Sequence, residues 1–148
     1  MACGMALANK LSGSDKSTYV ILGDGECNEG AVWEALMFGA RYHLDNLIAI
    51  LDRNNLQSYG TDAEVMNLAD VGTKIREFGW QVIQIDGNDV EQIKMAFLDA
   101  KQIEDKPVMI VANTIKGKGV KEFENGVIWH YKWPEGNSYT NALEELEK

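Results

Sequence analysis

The sequence predicts an α/β domain built as three layers, with helices on both faces of a mainly parallel sheet. Three observations predict it. Four short apolar runs recur along the chain: residues 18–22 (TYVIL), 46–51 (NLIAIL), 80–85 (WQVIQI) and 107–113 (PVMIVAN). Each is bounded by turn residues, as buried strands are. Segments of helical length and spacing separate them, and strands alternating with helices mean a parallel sheet.

Residues 2–11 read as a helix that ends near Ser12-Gly13-Ser14. This start is apolar but carries no basic n-region, so it is read as a helix and not a signal peptide. The first strand, 18–22, stops at Gly23. Residues 29–43 have helical length, with Val32, Leu36, Gly39-Ala40 and His43 on one face. His43 closes that helix, where a cation suits the dipole. After the second strand, residues 52–70 are polar and irregular. Residues 71–78 read as a helix with Gly79 at C′. Asp89 is the expected N-cap of a helix running to about residue 103. Lys116-Gly117-Lys118-Gly119 opens a long loop that runs through Trp133-Pro134, and 141–148 is a weak helix.

A chain of 148 residues holds one domain with a core. No apolar run reaches the ~20 residues that span a bilayer. Lys and Arg number 14 against 23 Asp and Glu, a net charge of −9, which repels nucleic acid and anionic membranes. Nothing directs the chain out of the cytoplasm. Cys3 and Cys27 are too few for a zinc cluster and are expected to stay reduced. An acidic protein that binds phosphate needs a cation and local backbone N–H groups to reverse the field.

In parallel sheets ligands bind beyond the carboxyl ends of strands, so chemistry is expected after Leu22, Leu51, Ile85 and Asn113. After the first strand comes Gly23-Asp24-Gly25-Glu26-Cys27-Asn28-Glu29-Gly30. Glycine permits close approach and positive φ, and the helix that follows offers free N–H groups. Asp24 can give a hard oxygen to Mg2+, a metal held by one or two carboxylates plus phosphate oxygens. Taken alone, G-D-G is equally a plain turn with a solvated aspartate. After the second strand comes Asp52-Arg53-Asn54-Asn55-Leu56, with Asn54 thirty residues beyond Asp24. One helix and one strand lie between, so a right-handed βαβ unit brings both turns to one edge. The Asn54 amide oxygen and a nearby carbonyl would add two neutral ligands. Lys116, after the fourth strand, is expected at the same edge, offering an ammonium to phosphate. Cys27 is read as a bystander despite its place in the turn. Trp129 and Trp133 bracket His130 as a contact surface.

G-D-G, twenty-eight residues, then N-N closely resembles the thiamine-diphosphate motif. LGDGECNEGAVWEALMFGARYHLDNLIAILDRNNLQ is similar to the N-terminal half of transketolase, particularly the form made as two separate chains. MACGMALANKL, IREFGWQVIQIDGNDVEQIKMAF, KPVMIVANTIKGKGV and Ile128-Trp129-His130 extend the resemblance over nearly the whole chain. It implies a diphosphate-binding domain over residues 1–148 that lacks its first elements. It implies thiamine diphosphate and Mg2+ as cofactors, with Asp24, Asn54 and the Leu56 carbonyl as metal ligands. The cofactor-binding set it implies is Gly23, Asp24, Gly25, Glu26, Asn54, Leu56, Lys116 and His130. Glu29 matches an acidic residue at the subunit interface, near the cofactor. The catalytic expectations are His130, for substrate contact and proton transfer, and Glu29.

The implied reaction is transfer of a two-carbon ketol unit between sugar phosphates, as in the pentose phosphate pathway. The implied partner is a pyrimidine-binding half on a separate chain, in a homodimer or heterotetramer. One departure stands out: Tyr131-Lys132-Trp133-Pro134 follows His130 where the family usually has glycine and a small residue. A related enzyme, either deoxyxylulose-phosphate synthase-like or a transketolase of specialised metabolism, is therefore the first alternative. A fragment or subunit without turnover alone is the second. A generic nucleotide-binding domain is a third, weaker one.

Overall fold

Side chains alternate across a strand, so a strand covered on both faces feeds two separate cores. In the computed structural model, which describes residues 1–147, β1 (Thr18–Gly23) and β2 (Leu47–Arg53) lie in the same sheet as β5 (Gln81–Asp86) and β6 (Val108–Asn113). All neighbours are parallel, in the order β1-β2-β6-β5. Leu47, Ala49 and Leu51 of β2 and Met109 and Val111 of β6 face one core. It is closed by α1 (Ala2–Leu11), α2 (Gly30–Arg41) and α4 (Val71–Glu77). Ile48, Ile110 and Ile85 face the other, closed by α5 (Val90–Ala100). The three expected layers are present. One helix alone covers the second face, which leaves Tyr19 and Ile21 exposed on β1.

Trp80 leads into β5 and anchors α2. Its indole N–H donates to the Leu36 carbonyl at 2.8 Å. A Cβ at Gly39 would stand 2.8 Å from its ring, so only glycine lets this helix settle on Trp80. Gly79 takes φ 92 directly after the C-cap of α4, as a C′ residue does. The Asp89 carboxylate accepts from the N–H groups of Glu91 and Gln92 and starts α5.

Four expectations need correction. α2 starts at Gly30, after a 3-10 turn over Gly25–Asn28, and ends at Arg41. His43 therefore lies outside the helix with φ 48, and its Nδ1 stands 3.2 Å from the Asp105 carboxylate, not over a helix end. The stretch 52–70 is not irregular. It holds the hairpin of β3 (Leu56–Gln57) and β4 (Gly60–Thr61), followed by α3 (Asp62–Val65). α5 ends at Ala100 rather than near 103. The last helix, α6 (Asn137–Leu146), starts before the expected residue 141, and Lys148 lies outside the described residues.

Candidate functional site

Register decides which strand ends meet. Gly23 pairs with Asp52 across β1 and β2, and Arg53 with Asn113 across β2 and β6. The turns after these three strands therefore share one edge. They line a cleft of about 560 Å³. Gly23, Asp24, Gly25, Glu26 and Glu29 come from the first turn, and Asn54 and Leu56 from the second. Lys116 and His130 come from the loop beyond β6. All nine expected residues thus meet in one place. The turn after β5 does not join them. Asp86 and Asn88 line a separate depression, because β6 stands between β5 and the cleft.

Asp24 is 3% exposed and heads the 3-10 turn. The Gly25 N–H donates to its Oδ1 at 2.7 Å. Its Oδ2 is buried with no partner. The pKa of Asp24 is raised, first by burial. The N–H groups of Gly25 and Asn55 pull it down in part, while Asp62 and Asp52 push it up further. Those two carboxylates are engaged. Asp52 Oδ2 accepts from Asn54 Nδ2 at 3.0 Å, and its Oδ1 accepts from the Thr114 hydroxyl. Asp62 Oδ1 accepts from Gln57 Nε2 at 2.8 Å, and its Oδ2 from the Leu68 N–H at 3.4 Å. None of the three takes part in an ion pair among the described residues. Negative charge converges with one oxygen unused, an arrangement that favours a cation.

The Asn54 amide is oriented. Asp52 holds its Nδ2, and its Oδ1 accepts from the Leu56 N–H at 3.0 Å, leaving a lone pair. Among the described residues no group of three or more His, Cys, Asp and Glu side chains is placed to hold a metal. One buried carboxylate with neutral oxygens suits Mg2+, which keeps phosphate and water ligands, better than zinc. The residues present fit such an ion.

The glycines act otherwise than expected. Neither Gly23 nor Gly25 has positive φ; Asn55 does, at 60°. The Gly23 N–H donates to Glu26 Oε2 at 2.6 Å, so this N–H and that of Gly25 are turned to side chains of their own turn. Glu29 stands at the N-cap of α2 without capping it and is exposed. Positive φ is needed instead at Gly117, at 78°, where a Cβ would stand 2.5 Å from the Phe123 carbonyl oxygen. That fold-back separates two lysines. Lys118 pairs with Glu124 at 3.5 Å, while Lys116 lines the cleft without an ion pair among the described residues.

His130 ends a 3-10 turn (Val127–His130) and is exposed. Its Nε2 lies 3.2 Å from Ser58 Oγ at the hairpin tip. Trp129 is half-buried against Phe123, with ring centroids 4.4 Å apart, so only Trp133 of the bracketing pair is open to solvent. Cys27 is buried and its thiol is pushed up to about 11, first by burial, then by the charges of Asp24, Glu26 and Asp62. It is no reactive thiol. Sequence reasoning missed Asp52, Asp62, Gln57 and Ser58. The Thr61-x-x-Glu64 capping box was the available signal for the helical turn that carries Asp62.

Residues 6–132 match the family described as "Transketolase, thiamine diphosphate binding domain". The chain is 41% identical over 145 residues to an apulose-4-phosphate transketolase subunit of Phocaeicola vulgatus, covering 98% of this chain and 52% of that protein. It is 42% identical over 147 residues to the 6-deoxy-6-sulfo-D-fructose transketolase subunit SqwG of a Clostridium species, covering 99% and 54%. The chain spans about half the length of these curated relatives. The crystal structure of transketolase from Campylobacter jejuni superposes with a TM-score of 0.90 at 31% identity, over 99% of this chain and 24% of that one.

Proposed function

The chain belongs to the transketolase family of thiamine-diphosphate-binding domains, and from that premise we propose that its cleft holds Mg2+ and the diphosphate of the cofactor. The observation that carries this reading is Asp24 Oδ2, buried and unpaired beside two carboxylates that are fully engaged. Asp24 Oδ2, Asn54 Oδ1 and the Leu56 carbonyl are the proposed metal ligands. Such an ion would draw its remaining oxygens from the diphosphate and water. Asp52 keeps the oxygen of Asn54, not its nitrogen, available to the ion. Lys116 faces the diphosphate, with Gly23, Gly25 and Glu26 holding the turn in shape. Bound thiamine diphosphate supplies the electron sink for breaking a carbon–carbon bond beside a carbonyl. His130 at the cleft mouth bonds substrate hydroxyls and moves protons. Glu29 meets the partner.

The complete activity we propose is two-carbon ketol transfer between phosphorylated or similarly anionic sugars. It requires a pyrimidine-binding half on another chain, a need that the naming of two relatives as subunits supports. One observation favours a specialised sugar: Tyr131 reaches the hairpin that lines the cleft. Calorimetric titration of the chain tests the cofactor reading. Thiamine diphosphate is expected to bind with Mg2+ present and not without it, and ATP and NAD not at all. Affinity indifferent to Mg2+, or equal uptake of ATP, would overturn it. Adding a pyrimidine-binding half, then offering ketose donors, tests the reaction.

A further inference from the structure

Ser58 offers two polar atoms at the hairpin tip, and two consecutive residues from far along the chain take one each. Its hydroxyl lies 3.2 Å from His130 Nε2. Its carbonyl accepts from the Tyr131 hydroxyl. The Tyr131 ring also meets the imidazole edge-on, with centroids 5.2 Å apart and planes at 73°. No other hydrogen bond to the His130 side chain occurs among the described residues. An exposed histidine on a loop would otherwise sample several rotamers, and ordering it has an entropic cost.

We propose that Ser58 and Tyr131 are positioning residues that clasp His130 at the cleft mouth, so that an anionic sugar meets an imidazole already set in direction and tautomer. The inference rests on the function proposed above. The physical logic has two parts. A serine hydroxyl can donate to Nε2 or accept from it, and whichever it does fixes the complementary role of Nδ1. The tyrosine bond fixes the serine backbone, so the hydroxyl stays in range. The clasp also joins the wall made by the hairpin to the wall made by the loop. Tyr59, next to Ser58, and Trp133, two residues beyond Tyr131, are 89% and 86% exposed and leave its rim open.

The test uses Tyr131→Phe, Ser58→Ala and the double variant. Each removes only a hydroxyl, and neither residue is in a core. In the isolated chain, the 15N shifts of the imidazole nitrogens are read, with His43→Gln identifying the second histidine. Ser58→Ala is expected to move the His130 pattern, and Tyr131→Phe to move it the same way but less. With the pyrimidine-binding half and cofactor present, each single variant is expected to raise KM for sugar about fivefold, the scale of one lost hydrogen bond. The double variant should exceed the larger single effect by less than about twofold. Affinity for Mg2+ plus thiamine diphosphate should not change. Unchanged 15N shifts in Ser58→Ala overturn the clasp even if no cofactor binds. Unchanged KM in both variants, or KM and cofactor affinity worsening together, does so too. Failure of the unsubstituted chain to take up the cofactor instead counts against the function, with the nitrogen shifts still deciding the clasp.

Discussion

Trp80 and Asp24 are buried to nearly the same degree, 5% and 3% exposed, and each carries a polar group inward. They stand at opposite ends of the sheet. Trp80 precedes β5, and its N–H is paired with the Leu36 carbonyl. Asp24 follows β1, and its Oδ2 is paired with nothing. At the amino end a large apolar body with one satisfied N–H holds α2 to the sheet. At the carboxyl end a carboxylate is kept with only one of its two oxygens bonded within the fold. An unmet buried acceptor costs about 1–3 kcal/mol. The domain carries that cost as a carboxylate beside its ligand site; the other unpaired buried oxygen among the described residues, Asn46 Oδ1, is a neutral amide at the amino end.

The largest expected effect lies at the amino end. Trp80→Ala removes the ring that Gly39 accommodates and the indole bond to the Leu36 carbonyl. We expect a loss of about 3–5 kcal/mol in urea unfolding, the usual range for a buried aromatic truncated to alanine. A loss under about 1 kcal/mol would mean that Trp80 is not the anchor and the contrast fails.

At the other end the expected sign reverses. Asp24→Asn removes a poorly solvated charge and puts an amide donor beside Asp52 and Asp62. The chain without cofactor should gain roughly 1 kcal/mol. The extra stability conferred by Mg2+ with thiamine diphosphate should vanish in the same variant. The pH dependence follows from the raised pKa of Asp24. The fold favours its protonated form, so its contribution is fully present below the ordinary value of 3.8 and is lost as pH rises through the higher folded value. Urea midpoints of both proteins across acid to neutral pH should diverge upward, the variant gaining over the unsubstituted chain as pH rises. A constant difference would sink the assignment.

The same contrast explains what could be read in advance. The four strands were legible because apolar runs such as NLIAIL and PVMIVAN leave few alternatives to a buried parallel sheet. Asp24 and Asn54 were legible as neighbours because one βαβ unit fixes which strand ends meet. The hairpin was not. β3 and β4 are two residues each, too short for alternation to register. Their hold comes from polar side chains instead: Asn28 on Gln57 at 3.0 Å, and Gln57 on Asp62. Such cross-links depend on tertiary placement and have no periodic signature. The lack of positive φ at Gly23 and Gly25 has a similar cause, since Asp24 and Glu26 take up the N–H groups and hold the turn right-handed.

The smallest effect separates the regions by dynamics. α3 is a single turn held by a capping box: the Glu64 N–H donates to Thr61 Oγ1 at 3.3 Å, and the Thr61 N–H donates to Glu64 Oε2 at 3.1 Å. Thr61→Ala should cost the cap roughly 1 kcal/mol. That cost is expected to fall on local opening, because the hairpin and α3 add few apolar residues to either core. Amide exchange over residues 56–68 should then quicken about fivefold, the rate factor that ~1 kcal/mol implies. The urea midpoint, governed by the sheet and Trp80, should hardly move. If instead the midpoint falls by the full cap energy, the hairpin unfolds with the core. Asp24 would then sit in a wall as rigid as the one behind Trp80, and the two ends would differ in polarity alone.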